Sequence, residues 1–433
     1  MRSLFLRFTM TSNVGTTLQI LNKGLADRAL SDKAKCTYWK HQFTKISDYA
    51  VETETEQSRG AVFGKEFTVE INSMADLIND IWLTVDIAPL RLKNPGRNDT
   101  VHWSNALGHA MLSRIAFKVG NTVINAFDGR FMEILHEIES EGDKDLDDFV
   151  LRSKSPKQLV QWAYYGTDKD RDGNPVTRLL VHLPFYFTRA LSQAFPVCSL
   201  GFGGVMVQGE LRKKRDLMVF SNPNNTELDP EFNGEILDVG VMMQNVYLTE
   251  VERTLFTVNP HEYIFDNPKW SEFNIKPAGA DRMSVKITDF LYPVKYLMMA
   301  MVKDSNIEKN DYFNFELTEG QGDDPFLSMG MKLGVAQREA RQTPRFWRKV
   351  QAAKYFNRTP ERPVFLYSFG QFPLEWYPSG SVNMSRIQDL TLDFKFPRKD
   401  GNGQEAEKTE VIVWAVYTNF LRFSRGQVNV LFA

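Results

Sequence analysis

Alternation of apolar and polar residues with a period of two runs through most of this 433-residue chain and restricts its fold more than any other feature. Phe67, Val69 and Ile71 alternate, and Ile81, Leu83, Val85 and Ile87 follow. The pattern returns at Ile115, Phe117 and Val119, and at Leu237, Val239, Val241 and Met243. Later come Val285 and Ile287, Phe313 and Phe315, Leu390 to Phe394, and the closing run Val411–Phe423. Successive side chains of a strand point to opposite faces, so each run turns an apolar face to a core and a polar face outward. Short runs of this kind, separated by turn residues, predict antiparallel β-sandwiches. Asn94-Pro95-Gly96, Asp172-Gly173-Asn174, Asn222-Pro223-Asn224-Asn225 and Asp400-Gly401-Asn402-Gly403 supply those turns.

Helices are few. Arg130–Glu141 places Phe131, Ile134, Leu135 and Ile138 on one face with acids elsewhere. Pro156–Tyr165 reads as a second helix, with Ser155 as cap and Pro156 at the first helical position. Ala336–Tyr355 has helical charge spacing but contains Pro344. All three read as insertions between strands. The length suggests about two domains. One internal echo supports that: residues 181–211 and 363–394 each carry an aromatic strand ending in Phe187 or Phe369. A proline follows each, Pro196 or Pro378, and an apolar strand resumes at Val205 or Ile387.

Charge is balanced, 52 basic against 54 acidic residues, so bulk electrostatics does not mark a nucleic-acid coat or a membrane-surface binder. Two cysteines, Cys36 and Cys198, make no disulfide framework, and a reducing compartment is the simpler reading. The most apolar run, Tyr296–Val302, is strand-sized and too short to span a bilayer. The start, MRSLFLRFTM, is interrupted by Arg7 and reads as a false signal peptide, with Met10 as an alternative start.

Reactive chemistry finds little support. The six histidines, His41, His102, His109, His136, His182 and His261, form no pair at metal spacing. His136-Glu137 opens like a zincin helix, but Ser140 stands where the second histidine belongs. Asp168–Asn174 begins like a calcium loop, yet Leu179 replaces the bidentate glutamate, so a solvated turn is the better reading. Gly201-Phe202-Gly203-Gly204 precedes a strand instead of a helix and lacks dinucleotide spacing. Leu211–Arg215 and Arg341–Lys349 are the basic clusters; the second interleaves Phe346 and Trp347, which could stack bases, although a loop face or subunit contact is the commoner use. Four sequons, at Asn98, Asn224, Asn357 and Asn383, are candidate glycosylation sites. No catalytic residue, metal site or cofactor site is expected.

Several stretches in order resemble the major capsid protein of nucleocytoplasmic large DNA viruses, the group of iridoviruses, phycodnaviruses and mimivirus relatives. Gly24 and Asp27, then Thr37, Tyr38, Trp39, Lys40, Ala50 and Glu52, are similar to the family's opening segment and aromatic arm. Phe63, Gly64, Lys65, Asp76, Leu77 and Ile78 match the first strand and turn. Pro184, Phe185 and Phe187, with Pro196 beyond, resemble the Pro-Phe-aromatic-Phe strand and the segment after it. Tyr247, Glu252, Arg253, His261, Glu262 and Tyr263 resemble the Tyr…Glu-Arg…His-Glu-Tyr stretch. Pro378, Ser379, Gly380, Asn383, Ser385, Arg386 and Ile387 match the Pro-Ser-Gly-x-x-Asn-x-Ser-Arg-Ile signature. The closing segment is similar too, although its glycine pair is reduced to Gly426, and Asp32-Lys33-Ala34 departs from the usual Asp/Asn-Pro.

The resemblance implies an all-β chain of two consecutive eight-stranded jelly rolls with short helical insertions. It implies an arm over residues 1–46, a first roll over 47–257 and a second over 261–433. It places the echo between the same two strands of both rolls. In the Pro-Ser-Gly stretch, Pro378 would set a turn, Ile387 would begin the next strand, and Asn383 would make structural hydrogen bonds. The implied role is architectural: homotrimers as pseudo-hexagonal capsomers tiling an icosahedral shell, partnered by neighbouring capsomers, minor capsid proteins and an internal membrane-associated layer. No sequence-specific nucleic-acid binding is implied, and the place is the virion, assembled in the host cell, in its cytoplasm. The rivals are a lectin-like β-sandwich and a minor capsid or scaffold component.

Overall fold

The computed structural model describes residues 24–40, 43–58, 60–72, 74–139, 147–170, 172–201, 203–275, 282–316, 323–387, 389–397 and 409–432. The basic start with Met10, His41, Phe202 and the Asp400–Gly403 turn lie outside them. The chain divides into an N-terminal segment, Met1–Asp48, and a body, Tyr49–Ala433. Within the segment, helix α1 (Leu25–Ser31) accounts for the Gly24…Asp27 pair. The Asp27 carboxylate accepts the Gly24 N–H at 2.9 Å, closing the helix start.

Among the described residues, the body holds sixteen principal strands in two sets. The first is β1 (Tyr49–Gln57), β2 (Glu66–Ile71), β3 (Leu77–Ile87), β4 (Leu112–Val119), β5 (Thr122–Phe127), β6 (Pro175–His182), β7 (Val205–Leu211) and β8 (Ile236–Leu248). The second is β9 (His261–Ile275), β10 (Arg282–Ile287), β11 (Pro293–Lys303), β12 (Ser328–Leu333), β13 (Ala336–Gln342), β14 (Phe365–Ser368), β15 (Leu390–Lys395) and β16 (Thr409–Ser424). In the first set the sheets run β1-β8-β3-β6 and β2-β7-β4-β5; in the second, β9-β16-β11-β14 and β10-β15-β12-β13. Replacing each strand by its rank in its set makes the two orders identical. This interleaving of two antiparallel sheets is the jelly roll, present twice.

The likeness extends to irregularities. Val119 faces Thr122 and Leu333 faces Ala336 across two-residue hairpins, each opening on a left-handed glycine, Gly120 (φ 55°) or Gly334 (φ 58°). One extra residue bulges from the third strand of each roll, Asn79 or Lys295. The echo lies between the sixth and seventh strands of both rolls, as expected, but its prolines are not equivalent. Phe195-Pro196 pairs with Ile78 and Leu77, whereas Val382-Asn383, not Pro378, pairs with Val294 and Pro293. A 3-10 turn follows each bridge, Val197–Ser199 or Met384–Arg386. Ile387 therefore begins no strand; β15 starts at Leu390. Phe187 likewise lies in a 3-10 turn beyond the end of β6.

Alternation fails at informative places. Tyr296–Val302 is apolar without interruption because β11 is covered on both faces. Leu297, Met299 and Met301 enter the second roll's own core, while Tyr296, Met298, Ala300 and Val302 belong to the core continuous with the first roll. Phe313 and Phe315 form no strand; they are buried from a loop into that shared core. Leu237 is exposed although Val239, Val241 and Met243 are buried. Helices α2 (Gly129–Glu139) and α3 (Pro156–Tyr165) stand near their expected places, but the Ser155 side chain makes no capping bond. Helix α4 (Glu250–Val258) connects the rolls. The 336–355 segment is three elements: β13, a π-helical turn Phe346–Val350 and helix α5 (Gln351–Tyr355). Pro344 separates strand from helix, because it has no N–H to continue a ladder.

Candidate assembly surfaces

The seam between the rolls is built on the outward face of the sheet β9-β16-β11-β14. One row across it reads Trp270, Trp414, Met298, Leu366. Trp414, Met298 and Leu366 are at most 1% exposed, in one core with Phe127, Phe131 and Leu135 of the first roll and Ala352 and Phe356 of the second. At one end the cover is aromatic. Phe185 and Phe187 turn inward onto Phe117 at 5.4 and 4.9 Å, which leaves Tyr186 pointing across the seam to Phe265 at 5.3 Å. His261 stacks on Phe423 at 5.0 Å and 10°, and Phe195 meets the same ring at 5.6 Å. Tyr263 closes the group on Phe423 at 5.7 Å, and burial pushes its phenol up to about 12.

Charged groups fasten the rest. Glu133 of α2, though only 1% exposed, accepts His109 Nδ1 at 2.6 Å and Arg152 at 2.7 Å. Its other oxygen accepts Arg362 of the second roll at 2.7 Å. Burial would raise this carboxyl, but Arg152, Arg362 and His109 together hold it well below the usual range. Trp414 donates its indole N–H to Asp128 at 2.9 Å, and Arg130 reaches Glu410 at 3.0 Å. Lys295, the bulged residue, is 1% exposed and lies 2.7 Å from Asp266, which Arg189 approaches at 3.4 Å. Burial keeps the Asp266 carboxyl above its ordinary value despite both cations.

His136, on α2 beside this cluster, is pushed from 6.5 to about 4 by burial, then by the charges of Arg152 and His109. The unfolded chain therefore takes up this proton first as pH falls. Stability is complete above pH 6.5 and declines towards pH 4, by about 2–3 kcal/mol at ~1.4 kcal/mol per unit. In urea titrations, His136→Gln should remove that part of the slope between pH 7 and pH 4; an unchanged slope refutes it.

The family-motif residues do not form one site. Pro184, Phe185, Phe187, Pro196, His261 and Tyr263 gather around the seam's aromatic end. Arg253 of α4 makes a two-bonded ion pair with the buried Asp76, at 2.6 and 2.9 Å, with Glu252 beside it on that helix. Glu262 pairs with Arg422 on the surface. Phe63 stacks on Trp103 at 6.1 Å, and Gly64 adopts φ 76° while its N–H donates to the Arg212 carbonyl at 3.0 Å. Pro378, Ser379, Gly380, Asn383, Ser385 and Arg386 lie apart, in the loop before β15. There Gly380 (φ 127°), not Pro378, has the unusual backbone, and a Cβ at that position would stand 3.1 Å from the Gly370 Cα. Ser379 Oγ accepts the Phe372 N–H at 3.1 Å and donates to its carbonyl at 2.9 Å. Asn383 Oδ1 accepts the Ser385 N–H at 3.0 Å.

Other candidates are reassigned. Asn98, Asn224, Asn357 and Asn383 are all exposed. In the calcium-like loop, Asp168 pairs with Arg178 at 2.6 Å and Asp170 accepts N–H groups of Asp172 and Asn174. Trp347 is 1% exposed in the second roll's core and Arg348 is buried, so the aromatics are not laid out for bases. Arg341, Arg345 and Lys349 stay on the surface. Sequence reasoning missed Glu133, Asp128, Asp266, Lys295, Arg189, Arg362 and Trp414. Glu133 sits on the helix whose acids read as lying off the apolar face; no local signal separates it from them.

The first roll has the same face, β1-β8-β3-β6, where among the described residues Phe149 meets Trp82 edge-on at 6.3 Å but no row is sealed as in the second roll. Its corresponding row is Thr55, Met242, Trp82, His182: Thr55 exposed, the others half-buried. Asp80, Asp86 and Asp238 share that face. Residues 37–248 match the family described as the major capsid protein N-terminus, and residues 252–429 match the large eukaryotic DNA virus major capsid protein. The chain belongs to this capsid protein family. Among capsid proteins of the family, it is 24% identical to the major capsid protein of Pyramimonas orientalis virus, over 97% of this chain and 99% of that one. It is 21% identical to that of Lymphocystis disease virus 1, over 85% and 86%. In fold it is similar to the PBCV-1 virus capsid chain, with a TM-score of 0.75 at 19% identity over 92% of this chain and 100% of that one. The Faustovirus major capsid protein gives 0.69 at 10% identity, over 93% and 94%. Membership makes this a structural component of the virion, a major capsid protein and not an enzyme.

Proposed function

We propose that three copies close into a ring of six rolls, a pseudo-hexagonal capsomer, and that these capsomers tile an icosahedral shell. The observation that carries this reading is the doubled roll: one chain holds two units of identical strand order, joined through a dry sheet face of the second. A face so joined in one roll and open in the other suits head-to-tail contacts, which close when the rotation does. In this reading residues 1–46 are an arm, with Tyr38 and Trp39 bracing the trimer, residues 47–257 the first roll and 261–433 the second. The insertions 126–178, 216–236 and 318–362 crown the block or grip neighbours, and the family-motif residues hold strands and loops in place. Minor capsid proteins and an internal membrane-associated layer are the further partners, assembly occurs in the host cytoplasm, and the four sequons are sugar sites if a glycosyltransferase meets them. Light scattering on purified protein should give a trimer of roughly 150 kDa from the 49.8 kDa chain. Hexagonal outlines should appear in negative stain. A monomer at micromolar concentration that binds oligosaccharide tightly overturns the reading in favour of the lectin-like alternative.

A further inference from the structure

The contact that joins the rolls within the chain defines, residue by residue, a contact between chains. Counting from the shared bulge, Gln244 and Asp80 correspond to Val416 and Tyr296, the first pairs beyond it. Six residues further back along β8 and β16 stand Asp238 and Glu410. By pairing, Phe127 faces Ile115 and Gln342 faces Met329, each partner four residues before its hairpin, which makes Phe127 and Gln342 equivalent although the second roll's strand carries one more bulged residue. Three residues beyond them stand Arg130 and Arg345. Inside the chain Arg130 binds Glu410 at 3.0 Å. The equivalent pair, Arg345 and Asp238, is an exposed cation and a half-buried carboxylate on opposite rolls.

We propose that Arg345 of one copy binds Asp238 of the next, so that the 341–349 segment of the second roll covers the open face of a neighbour's first roll. The proposal rests on the capsomer reading and names the contact that would close it. Charge supports it: Arg341, Arg345 and Lys349 are exposed on the covering side, while Asp80, Asp86 and Asp238 lie on the face. Of those acids, Asp86 is occupied by Arg178 at 2.9 Å, and Asp238 accepts only a neutral amide bond, from Gln57 at 2.8 Å, among its described hydrogen bonds. The surrounding row suits a contact that forms after folding. Met242 and Trp82 stand where Trp414 and Met298 stand in the second roll, but they are half-buried and flanked by Thr55 and His182. A face that waits for its partner in water keeps polar groups that a permanently covered face does not.

The test uses the full chain with Arg345→Asp, Asp238→Arg and the two together, each checked for fold by near-ultraviolet circular dichroism. Each single change should raise the dissociation constant of the trimer about tenfold or more, measured by sedimentation over a dilution series. The double exchange should restore it by at least half that factor on a logarithmic scale. If the wild type is a trimer and the single variants dissociate as it does, this contact is wrong while the capsomer stands. If Arg345→Asp leaves the trimer unchanged and instead loses retention on immobilised single-stranded DNA, the basic segment is a polyanion site and the proposal falls. A monomeric wild type removes the capsomer reading itself.

Discussion

Glu133→Ala should lower the stability of the body by about 3–5 kcal/mol, because it strands Arg152, Arg362 and His109 around a buried gap. The loss exceeds that of an ordinary surface ion pair because Glu133 is only 1% exposed and its partners come from both rolls. Glu133→Gln keeps the shape and should lose less. The acid limb separates this carboxylate from its neighbours. Its folded pKa is depressed, so its contribution is complete above the unfolded value of about 4.3 and is lost as pH falls through the folded one. The wild type should therefore show a steep loss below pH 4 that Glu133→Ala lacks. Urea titrations at pH 7 and below pH 4 measure both. Equal stability of wild type and Glu133→Ala at pH 7 would dismiss the cluster as a fastening.

Trp414→Ala should cost a similar amount, about 3–5 kcal/mol, from the cavity left by a wholly buried indole. It also removes the N–H that Asp128 accepts at 2.9 Å. Burial already raises the Asp128 carboxyl, so losing a donor favours its protonation further. Trp414→Phe retains most of the buried surface and should lose about 1–3 kcal/mol, because Asp128 Oδ1 loses its shorter donor and keeps the Phe131 N–H at 3.3 Å. Calorimetry should find the alanine variant melting roughly 5–10 °C lower. Because Trp414 faces the first roll while Val413 and Ala415 face the second roll's own core, Val413→Ala should weaken the second roll without affecting the seam. Matching changes in both variants would mean the two faces are not energetically distinct.

Strand identity was readable wherever one face of a sheet meets water. Val69, Leu83, Phe117 and Leu392 announce themselves by alternation, and the turns between them by Gly, Asn, Asp and Pro. The echo at 181–211 and 363–394 was a true repeat read through the wrong landmark, since its prolines matched by spacing and not by pairing. The motif residues marked where chain segments turn and meet, yet none of the carboxylates and cations that fasten the rolls was among them. Lys295 and Asp266 are separated by 29 residues, and Glu133 and Arg362 by 229. Nothing in the neighbourhood of any one of them reports its partner.

By itself, then, the sequence determined the β class through period-two patterning, while short motifs acting within a few residues carried the resemblance that implied the family and its doubled roll. Only the tertiary structure decided which sheet faces are sealed, which acids are buried, and which cation of one roll stands where its counterpart in the other already holds a carboxylate. Those outcomes depend on surfaces brought together from segments far apart in the chain. The apolar run Tyr296–Val302 records both levels: its length marks it as a strand, but its missing polar face is explained only by the roll packed against it.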